Sequence, residues 1–393
     1  MPSCAASVPI LLGVTSDQTL LVLRSRIRAL RDAGYSVGVI SSPGPHLDRL
    51  AADGGLTIYS IPMRRGIAPL ADLGAFLRIF VVLLRFHPSI VDFSTPKAAL
   101  LGLTASWLLR IPVRIHTLRG LRLESARPTF RPLLLAAERL TAACAHVVLC
   151  NSPSLRGEAT AHAIAPPAKL RLLANGSSNG VDLDRFQPAP TDLRVRYAIP
   201  HDALVLGFVG RLTRHKGIPE LLDAFDRIHA TMPQTWLLLV GWFDSSDDRL
   251  NPSFAARIAS HPHIVHAGFV EDTAECYRAM DLLVLPTHRE GFPNVALEAA
   301  ASGLAVLTTT ATGARDAVQP CVTGLLVPPG DSEALADAAL RLLCDASLRH
   351  HMGAAARAWV TKDFSQQRVL ADALCFYREI DQEIIREKGR QRP

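Results

Sequence analysis

The sequence has few cysteines and no long hydrophobic run, and these absences exclude two classes of protein. Seven cysteines are scattered over 393 residues, too few for a disulfide-stapled secreted scaffold. The most apolar stretches, Ile79–Leu84 and Ala98–Leu109, are shorter than the roughly 18–20 apolar residues of a membrane-spanning helix. A signal peptide requires a basic segment before its apolar run, and no basic segment precedes the first apolar run here. The sequence therefore predicts a cytoplasmic protein with reduced thiols.

Length and composition favour two globular domains, since a domain has roughly 150 residues. With 49% hydrophobic residues and a net charge of only +6, the chain is not intrinsically disordered. Residues 1–180 carry 20 Lys and Arg against 9 Asp and Glu, a net +11, and residues 181–393 carry 22 against 27, a net −5. The basic half suits an anionic ligand or membrane surface, or it is an ordinary solvated surface. The chain has no basic run interleaved with aromatic residues, so the sequence does not indicate nucleic-acid binding.

Short apolar runs alternate with helical patterns along the chain. Strands are predicted at Val8–Gly13, Tyr35–Ile40, Leu56–Ile61, Ile90–Phe93, Val113–Thr117, His146–Cys150, Leu204–Val209, Trp236–Val240, His263–Ala267, Leu282–Pro286, Ala305–Thr309 and Leu325–Val327. Helices are predicted near Leu20–Ala33, Ala71–Arg85, Ala98–Leu109, Phe130–Ala143, Ile218–Ala230, Thr273–Ala279, Asn294–Ala301 and Gln366–Glu387. Such alternation predicts parallel, doubly wound sheets whose strands are buried on both faces.

The alternation pauses once. Residues Asn175–Asp202 are rich in Gly, Ser, Asn, Asp and Pro without a period, which is typical of a linker. We therefore predict an α/β protein with two Rossmann-like domains facing each other across a cleft. The first comprises residues 1–195 joined by the C-terminal helix 370–393, and the second comprises residues 196–369. Ligands of such sheets bind beyond the carboxyl ends of the strands.

The loop after the first strand excludes one cofactor class. It reads Gly13-Val14-Thr15-Ser16 and lacks the G-x-G-x-x-G motif that a nicotinamide enzyme normally carries. The cysteines have no zinc-ligand spacing either. A dehydrogenase and a zinc site are therefore not favoured.

A basic loop follows the first strand of the second domain. It contains Gly210, Arg211, Lys216 and Gly217, and Lys216 is one of five lysines in the chain. An arginine can bind two phosphate oxygens at once, and a lysine acts as a point charge. The N-terminus of the following helix also favours an anion. The loop predicts a diphosphate site; the alternative is a plain solvated loop.

Two glutamates flank a turn after the strand Leu282–Pro286. Glu290 precedes Gly291, Phe292 and Pro293, and Pro293 is predicted in the first helical turn. Asn294 and Glu298 are four residues apart and share a helix face. Two carboxylates around a group of amides suit a ligand with sugar hydroxyls at both ends and a diphosphate between them. The alternative is a helix-dipole acid with a solvated helix glutamate.

At these positions the sequence resembles the retaining glycosyltransferases of family 4, which share the GT-B fold. The resemblance covers nearly the whole chain, and its specific parts are Glu290 with Glu298 in the E-x7-E element, and Gly210-Arg211-Leu212 with Lys216-Gly217. Asn179–Asp182 also matches the family. Ser94–Lys97, His116–Gly120 and Gly176–Gly180 resemble the branch that builds capsular polysaccharide and lipid-linked oligosaccharides in bacteria.

The resemblance implies a nucleotide-sugar substrate, usually UDP-linked, with no cofactor, no metal and retention of anomeric configuration. Its donor-binding residues would be Gly210, Gly291, Phe292, Asn294 and Glu298. Arg211 and Lys216 would neutralise the diphosphate leaving group, Glu290 would orient the donor sugar, and Glu298 the ribose. His116 would touch the transferred sugar or the acceptor, although a lone histidine after a strand is more often structural.

The acceptor side departs from the family pattern. Many relatives have a glycine pair after the first strand, where this chain has only Gly13, so Thr15 and Ser16 are the remaining candidates for acceptor contacts. The expected acceptor is a polyprenyl-diphosphate-linked sugar or a glycan, at the inner face of the cell membrane. Ile79–Leu84 is apolar nearly all round and is predicted to be buried, whereas Arg64 and Arg65 are candidates for lipid phosphates.

Two other functions stay open. A two-Rossmann UDP-sugar epimerase would act without an acceptor. A nucleotide-sugar-binding subunit would not catalyse, and the presence of Glu290, Glu298, Arg211 and Lys216 argues against it.

Overall fold

The alternation of strands and helices is present throughout the computed structural model, which describes residues 8–64, 66–244 and 248–390. The chain divides into two units, residues 1–179 with 368–393 and residues 180–367. The prediction of two doubly wound α/β domains is confirmed. Arg65, a predicted lipid-phosphate candidate, lies outside the described residues.

The first unit is built on seven strands. They are β1 (Pro9–Gly13), β2 (Ser36–Ser41), β3 (Leu56–Ser60), β4 (Ile90–Ser94), β5 (Val113–Leu118), β6 (Val147–Cys150) and β7 (Leu170–Leu172). All neighbours pair in parallel, in the order β3-β2-β1-β4-β5-β6-β7. The helices are α1 (Leu20–Asp32), α2 (Pro45–Ala52), α3 (Pro69–Phe86), α4 (Pro96–Leu108), α5 (Arg131–Cys144) and α6 (Pro153–Ala161). Buried side chains form separate clusters on the two faces of the sheet, one against α3, α4 and α5 and the other against α1.

The second unit repeats this plan with six parallel strands. They are β8 (Leu204–Val209), β9 (Thr235–Val240), β10 (Ile264–Gly268), β11 (Leu282–Leu285), β12 (Ala305–Thr309) and β13 (Gly324–Val327), in the order β10-β9-β8-β11-β12-β13. The helices are α7 (Leu193–Arg196), α8 (Ile218–Thr231), α9 (Pro252–Ser260), α10 (Ala274–Arg278), α11 (Asn294–Ala301), α12 (Ser332–Cys344) and α13 (Ala346–Asp363). Its core also lies on both faces of the sheet.

The last helix, α14 (Gln366–Arg390), returns the chain to the first unit. Ala373, Phe376, Tyr377 and Ile380 are buried together with side chains of β1 and α1. Burial of one apolar face is the main driving force for docking a helix of this kind. The predicted return of the C-terminal helix to the first domain is confirmed.

The predicted linker is more ordered than its composition suggests. Residues 180–195, which the sequence analysis grouped with the first domain, belong to the second unit. Val181, Phe186, Leu193 and Ile199 are buried in the core of that unit, and α7 lies within the segment. Four apolar anchors spaced among turn residues hold it there, a pattern without helical or strand period.

The helix α3 corrects another expectation. Ile79, Val82 and Leu83 are buried, but Val81 and Leu84 are 43% and 48% exposed. The predicted burial of the whole segment Ile79–Leu84 is therefore wrong, because only one side of α3 rests on the sheet. Among the helices in the described ranges, none combines the length and apolarity needed to cross a bilayer.

Candidate active site

The two predicted motifs of the second unit lie on either side of the point where its strand order reverses. β8 and β11 are hydrogen-bonded neighbours although two strands separate them in sequence. Loops that leave such a pair diverge to opposite faces of the sheet and open a crevice at its carboxyl edge. Arg211 and Lys216 lie in the loop after β8, and Glu290 lies in the loop after β11.

Hydrogen bonds to one carbonyl tie these two loops together. The carbonyl oxygen of His215 accepts the backbone N–H of His288 at 2.8 Å and the hydroxyl of Thr287 at 3.1 Å. Next to this junction, Lys216 Nζ donates to Glu290 Oε1. The two side chains are only 16% and 14% exposed. The structure thus brings together two of the predicted catalytic residues from segments 74 residues apart.

Glycines permit this close approach at two places. Gly217 has φ +75°, and a Cβ there would lie 1.9 Å from the carbonyl oxygen of Pro286. Gly313, in the loop after β12, also has φ +75°, and a Cβ there would lie 2.5 Å from the carbonyl oxygen of Glu290. Other residue types would be strained and would collide at both positions. The backbone N–H of Glu290 donates to the carbonyl oxygen of Thr312 at 2.8 Å. The glutamate is therefore held by the loops after β8, β11 and β12.

Arg211 has a buried partner that the sequence analysis missed. Its guanidinium contacts the carboxylate of Asp244, whose side chain is 8% exposed. Asp244 follows the end of β9, as Glu290 follows β11. The position of an acid shortly after a buried strand was the signal that could have identified it.

Burial and neighbouring cations act together on His215. Burial, together with the charges of Arg289, Lys216 and Arg211, lowers the pKa of His215 to about 3. The imidazole is therefore neutral at pH 7, and its Nδ1 contacts Asp248. These cations lie close enough to act on one imidazole, and the carboxylates of Asp244, Glu290 and Asp248 lie beside them.

Two helices have their N-termini near these cations. α8 begins after Gly217 and α11 after Pro293, and neither helix has a side-chain cap at its N-terminus. The first N–H groups of a helix have no acceptor within it, and together with the helix dipole they favour an anion. Pro293 occupies the N-cap of α11 rather than its first turn, one residue earlier than predicted, and Asn294 is the first helical residue.

Glu298 is held by a side chain that the sequence analysis also missed. The hydroxyl of Tyr277, from α10, donates to Glu298 Oε2 at 2.7 Å, and Tyr277 is fully buried. Burial raises the pKa of Glu298, and the bond from Tyr277 opposes that rise. The tyrosine fixes the carboxylate on the face of α11 that Asn294 shares.

Phe292 occupies the core. It is 8% exposed, and its ring lies 5.3 Å from that of Phe364 between centroids. Its backbone, with that of Gly291, forms the turn between Glu290 and α11. The packing of this ring anchors the turn in the second unit.

In the first unit, the strand order reverses between β1 and β4. The Thr15 backbone N–H donates to Thr95 Oγ1 at 2.9 Å, the two hydroxyl oxygens lie 2.8 Å apart, and Thr15 Oγ1 accepts the backbone N–H of Ala98 at 3.1 Å. Gly13 is packed so closely that a Cβ there would lie 2.1 Å from the ring of Phe93. Ser16 accepts the backbone N–H of Thr19 through its carbonyl oxygen.

His116 lies on β5 in the first unit and is 1% exposed. Burial lowers the pKa of His116 to about 4, so the imidazole is neutral at pH 7. Its Nδ1 is buried and has no hydrogen-bond partner within the described part of the chain. An unsatisfied buried nitrogen is costly, but among the described residues the Nδ1 atoms of His229 and His263 are unsatisfied as well, so this feature alone does not set His116 apart.

Across residues 8–64, 66–244 and 248–390, no group of three or more His, Cys, Asp or Glu is placed to hold a metal ion. The metal-independent reaction remains a prediction.

Family comparisons cover most of the chain. Residues 21–176 match the description "Glycosyl transferase 4-like domain", and residues 203–345 match "Glycosyl transferases group 1". The capsular polysaccharide biosynthesis glycosyltransferase CapM of Staphylococcus aureus is 33% identical over 365 residues, which cover 93% of this chain and 95% of the relative. A UDP-Gal:α-D-GlcNAc-diphosphoundecaprenol α-1,3-galactosyltransferase of Escherichia coli is 24% identical, over 78% of this chain and 79% of the relative.

Solved structures show the same fold. Sucrose-phosphate synthase from Thermosynechococcus elongatus superposes with a TM-score of 0.79 at 23% identity, covering 96% of this chain and 100% of that one. Anabaena HepE in complex with UDP-glucose superposes with a TM-score of 0.78 at 20% identity, covering 93% of this chain and 99% of that one.

Proposed function

The chain belongs to the group 1 glycosyltransferases with the GT-B fold, in the branch of the capsular polysaccharide enzymes, and on this premise we propose its reaction. It transfers a hexosyl or N-acetylhexosaminyl group from a UDP-sugar to a lipid-linked or glycan acceptor, with retention of the anomeric configuration. The name of the Escherichia coli relative specifies UDP-galactose and a diphosphoundecaprenol-linked acceptor, and the HepE structure contains UDP-glucose. Both support a UDP-sugar donor.

The observation that carries the proposal is the contact between Lys216 and Glu290 at the reversal point of the second sheet. A diphosphate that reached Arg211 and Lys216 would replace Asp244 and Glu290 as their partners. The two cations and the N-termini of α8 and α11 would then neutralise the departing diphosphate. These groups supply the charge that a metal ion supplies in other transferases.

The glutamates take separate roles in this proposal. Once Lys216 has moved to phosphate, the Glu290 carboxylate accepts hydrogen bonds from hydroxyls of the donor sugar. Glu298, fixed through Oε2 by Tyr277, accepts the ribose diol through its other oxygen. No second carboxylate acts as a covalent nucleophile, because the acceptor attacks from the face that the diphosphate leaves.

The first unit supplies the acceptor side. We assign the neutral imidazole of His116 to the transferred sugar or to the acceptor. A polyprenyl-diphosphate-linked acceptor places the enzyme in the cytoplasm, at the inner face of the cell membrane. The donor is a substrate, so the proposal needs no cofactor.

Calorimetric titration with UDP, GDP and ADP, each with and without EDTA, tests the donor site. We expect micromolar binding of UDP that survives chelation, and weaker binding by Glu298→Ala. The control is Glu333→Ala, because Glu333 is a glutamate of the same unit whose side chain is 69% exposed. Absence of nucleotide binding, or binding that disappears with EDTA, would contradict the metal-free site.

Transfer is tested separately from binding. UDP-sugars are incubated with and without polyprenyl-diphosphate-linked acceptors, and released UDP is measured. We expect release that depends on the acceptor. Conversion of the UDP-sugar into its epimer without an acceptor would show that the chain is not a transferase.

A further inference from the structure

The helix α3 has two apolar sides, and the sheet covers only one of them. Ala75, Ile79, Val82 and Leu83 face the core and are at most 9% exposed. The opposite side exposes large apolar residues along the whole helix: Leu70 at 88%, Leu73 at 57%, Leu77 at 56%, Val81 at 43% and Leu84 at 48%. Their spacing of three and four residues places them in one stripe. Single exposed leucines are common on protein surfaces, but a continuous stripe of five is not.

The charges on α3 have one sign. Arg78 and Arg85 are its exposed charged side chains. Its one acidic residue, Asp72, is bound by Lys97 Nζ at 2.5 Å, and both side chains are at most 20% exposed. The outer side of α3 therefore offers apolar surface and guanidinium groups to its surroundings.

The two neighbouring helices continue this pattern. α3 packs against α4, and α4 packs against α5, on one face of the first sheet. α4 exposes Trp107 and Leu108, and α5 exposes Leu133 and Leu140 together with Arg131 and Arg139. The remaining acid of the three helices, Glu138, is 6% exposed. The outer surface of α3, α4 and α5, which we call the α3–α5 face, thus exposes arginines, while Asp72 is paired with Lys97 and Glu138 is buried.

A groove borders the same face. It has a volume of about 470 Å³ and lies between α3 and the edge strand β3. Ile58, Ile61, Leu77 and Val81 line it, and Arg78 is the charged residue among its lining side chains. An apolar groove with a guanidinium beside it suits an acyl chain and its phosphate headgroup.

We propose that the α3–α5 face binds the surface of a bilayer containing anionic phospholipids, with α3 in the plane of the interface. The apolar stripe enters the boundary between headgroups and acyl chains, and the arginines contact lipid phosphates. Charge complementarity favours this occupant over a second copy of the chain, because two such faces would bring arginines against arginines. The inference extends the proposed function, since a lipid-linked acceptor lies at a bilayer surface.

Vesicle flotation of the full chain without nucleotide tests the proposal. Vesicles of phosphatidylcholine alone are compared with vesicles in which one quarter of the lipid is phosphatidylglycerol. We expect binding to the anionic vesicles that weakens at high salt. Leu77→Glu with Val81→Glu should lower the bound fraction about ten-fold or more, and Arg85→Gln about five-fold.

A matched control separates this face from added charge in general. Val195→Glu with Val322→Glu makes the same change at valines 78% and 51% exposed in the second unit, and it should bind vesicles as the parent does. UDP binding of each variant is measured alongside and should be unchanged. A failure of the membrane-binding proposal can then be distinguished from a failure of the proposed donor site. Unchanged flotation of the Leu77/Val81 variant, or a parent that ignores anionic vesicles, would overturn the proposal. So would a parent dimer that becomes monomeric in this variant.

Discussion

The two units share a strand order, yet the points where that order reverses carry different chemistry. In the first unit, the reversal between β1 and β4 holds Thr15 and Thr95, whose hydroxyls bond to each other and to the first turn of α4. In the second unit, the reversal between β8 and β11 holds Lys216 and Glu290. In the first crevice the polar groups hydrogen-bond to each other and stabilise the fold. In the second crevice the polar groups are charged.

Backbone strain differs in the same way. Thr95 has φ +71° although it is β-branched, a conformation that costs about 1–3 kcal/mol and persists only when its surroundings hold it. In the second unit the loop after β8 has positive φ only at glycines, Gly210 and Gly217. The fold provides a crevice in each unit, and the side chains decide whether that crevice can bind an anion.

The outer surfaces reinforce the contrast. The three helices of the α3–α5 face expose arginines and apolar residues. On α8 and α12 the exposed acids Asp223, Asp226 and Glu333 are paired with Arg257 and Arg227. This difference between the two units corresponds to the uneven distribution of charge along the sequence. One unit has a surface suited to an anionic partner, and the other has its cations in the loop after β8 and an outer surface of paired charges.

The largest expected effect is on catalysis in the second unit. Lys216→Ala should lower turnover by about 10²–10³-fold, equivalent to roughly 2.7–4 kcal/mol, because the charge developing on the leaving diphosphate loses a cation. Initial rates at saturating donor measure this effect. Lys362→Ala, at an exposed lysine of α13, is the control; equal rates for the two variants would refute the diphosphate role.

A smaller effect is expected from the loop that supports Glu290. Gly313→Ala should destabilise the protein and weaken UDP binding, because its Cβ would push on the carbonyl groups of Glu290 and Gly291. Gly268→Ala is the control: Gly268 has φ +69° and open space around it, so it carries only the conformational cost of about 1–2 kcal/mol. We expect Gly313→Ala to cost about 1–3 kcal/mol more. Chemical denaturation and calorimetry measure both, and identical behaviour would show that the contact has no consequence.

The smallest effect concerns the first unit. Thr15→Val removes the hydroxyl that accepts the backbone N–H of Ala98, which should cost about 1–2 kcal/mol of stability. UDP affinity should stay unchanged, because the hydroxyl stabilises the fold. A large loss of UDP affinity without loss of stability would show that the first crevice also binds the donor, and would remove the contrast between the units.

Much of the fold could be predicted from the sequence. Strands buried on both faces are short apolar runs, and these runs predict twelve of the thirteen strands in the described part of the chain with ends within one residue. The strand β7 is three residues long and has no such run. Helices α12 and α13 were missed although Asp331 and Asp345 cap them through their side chains. An N-cap residue followed by a helical period was a usable signal in both cases.

The strand–helix alternation, the uneven charge, and the cations and carboxylates after β8 and β11 can all be read from the amino-acid sequence. These features are local, because each depends on residue type and spacing along a short segment. Which side chains become partners depends on the folded chain: Lys216 meets Glu290, Arg211 meets Asp244, and Tyr277 meets Glu298. The fold also decides which side of α3 is left uncovered. These pairings depend on how strands distant in sequence become neighbours in a sheet, and periodicity along the chain carries no record of that.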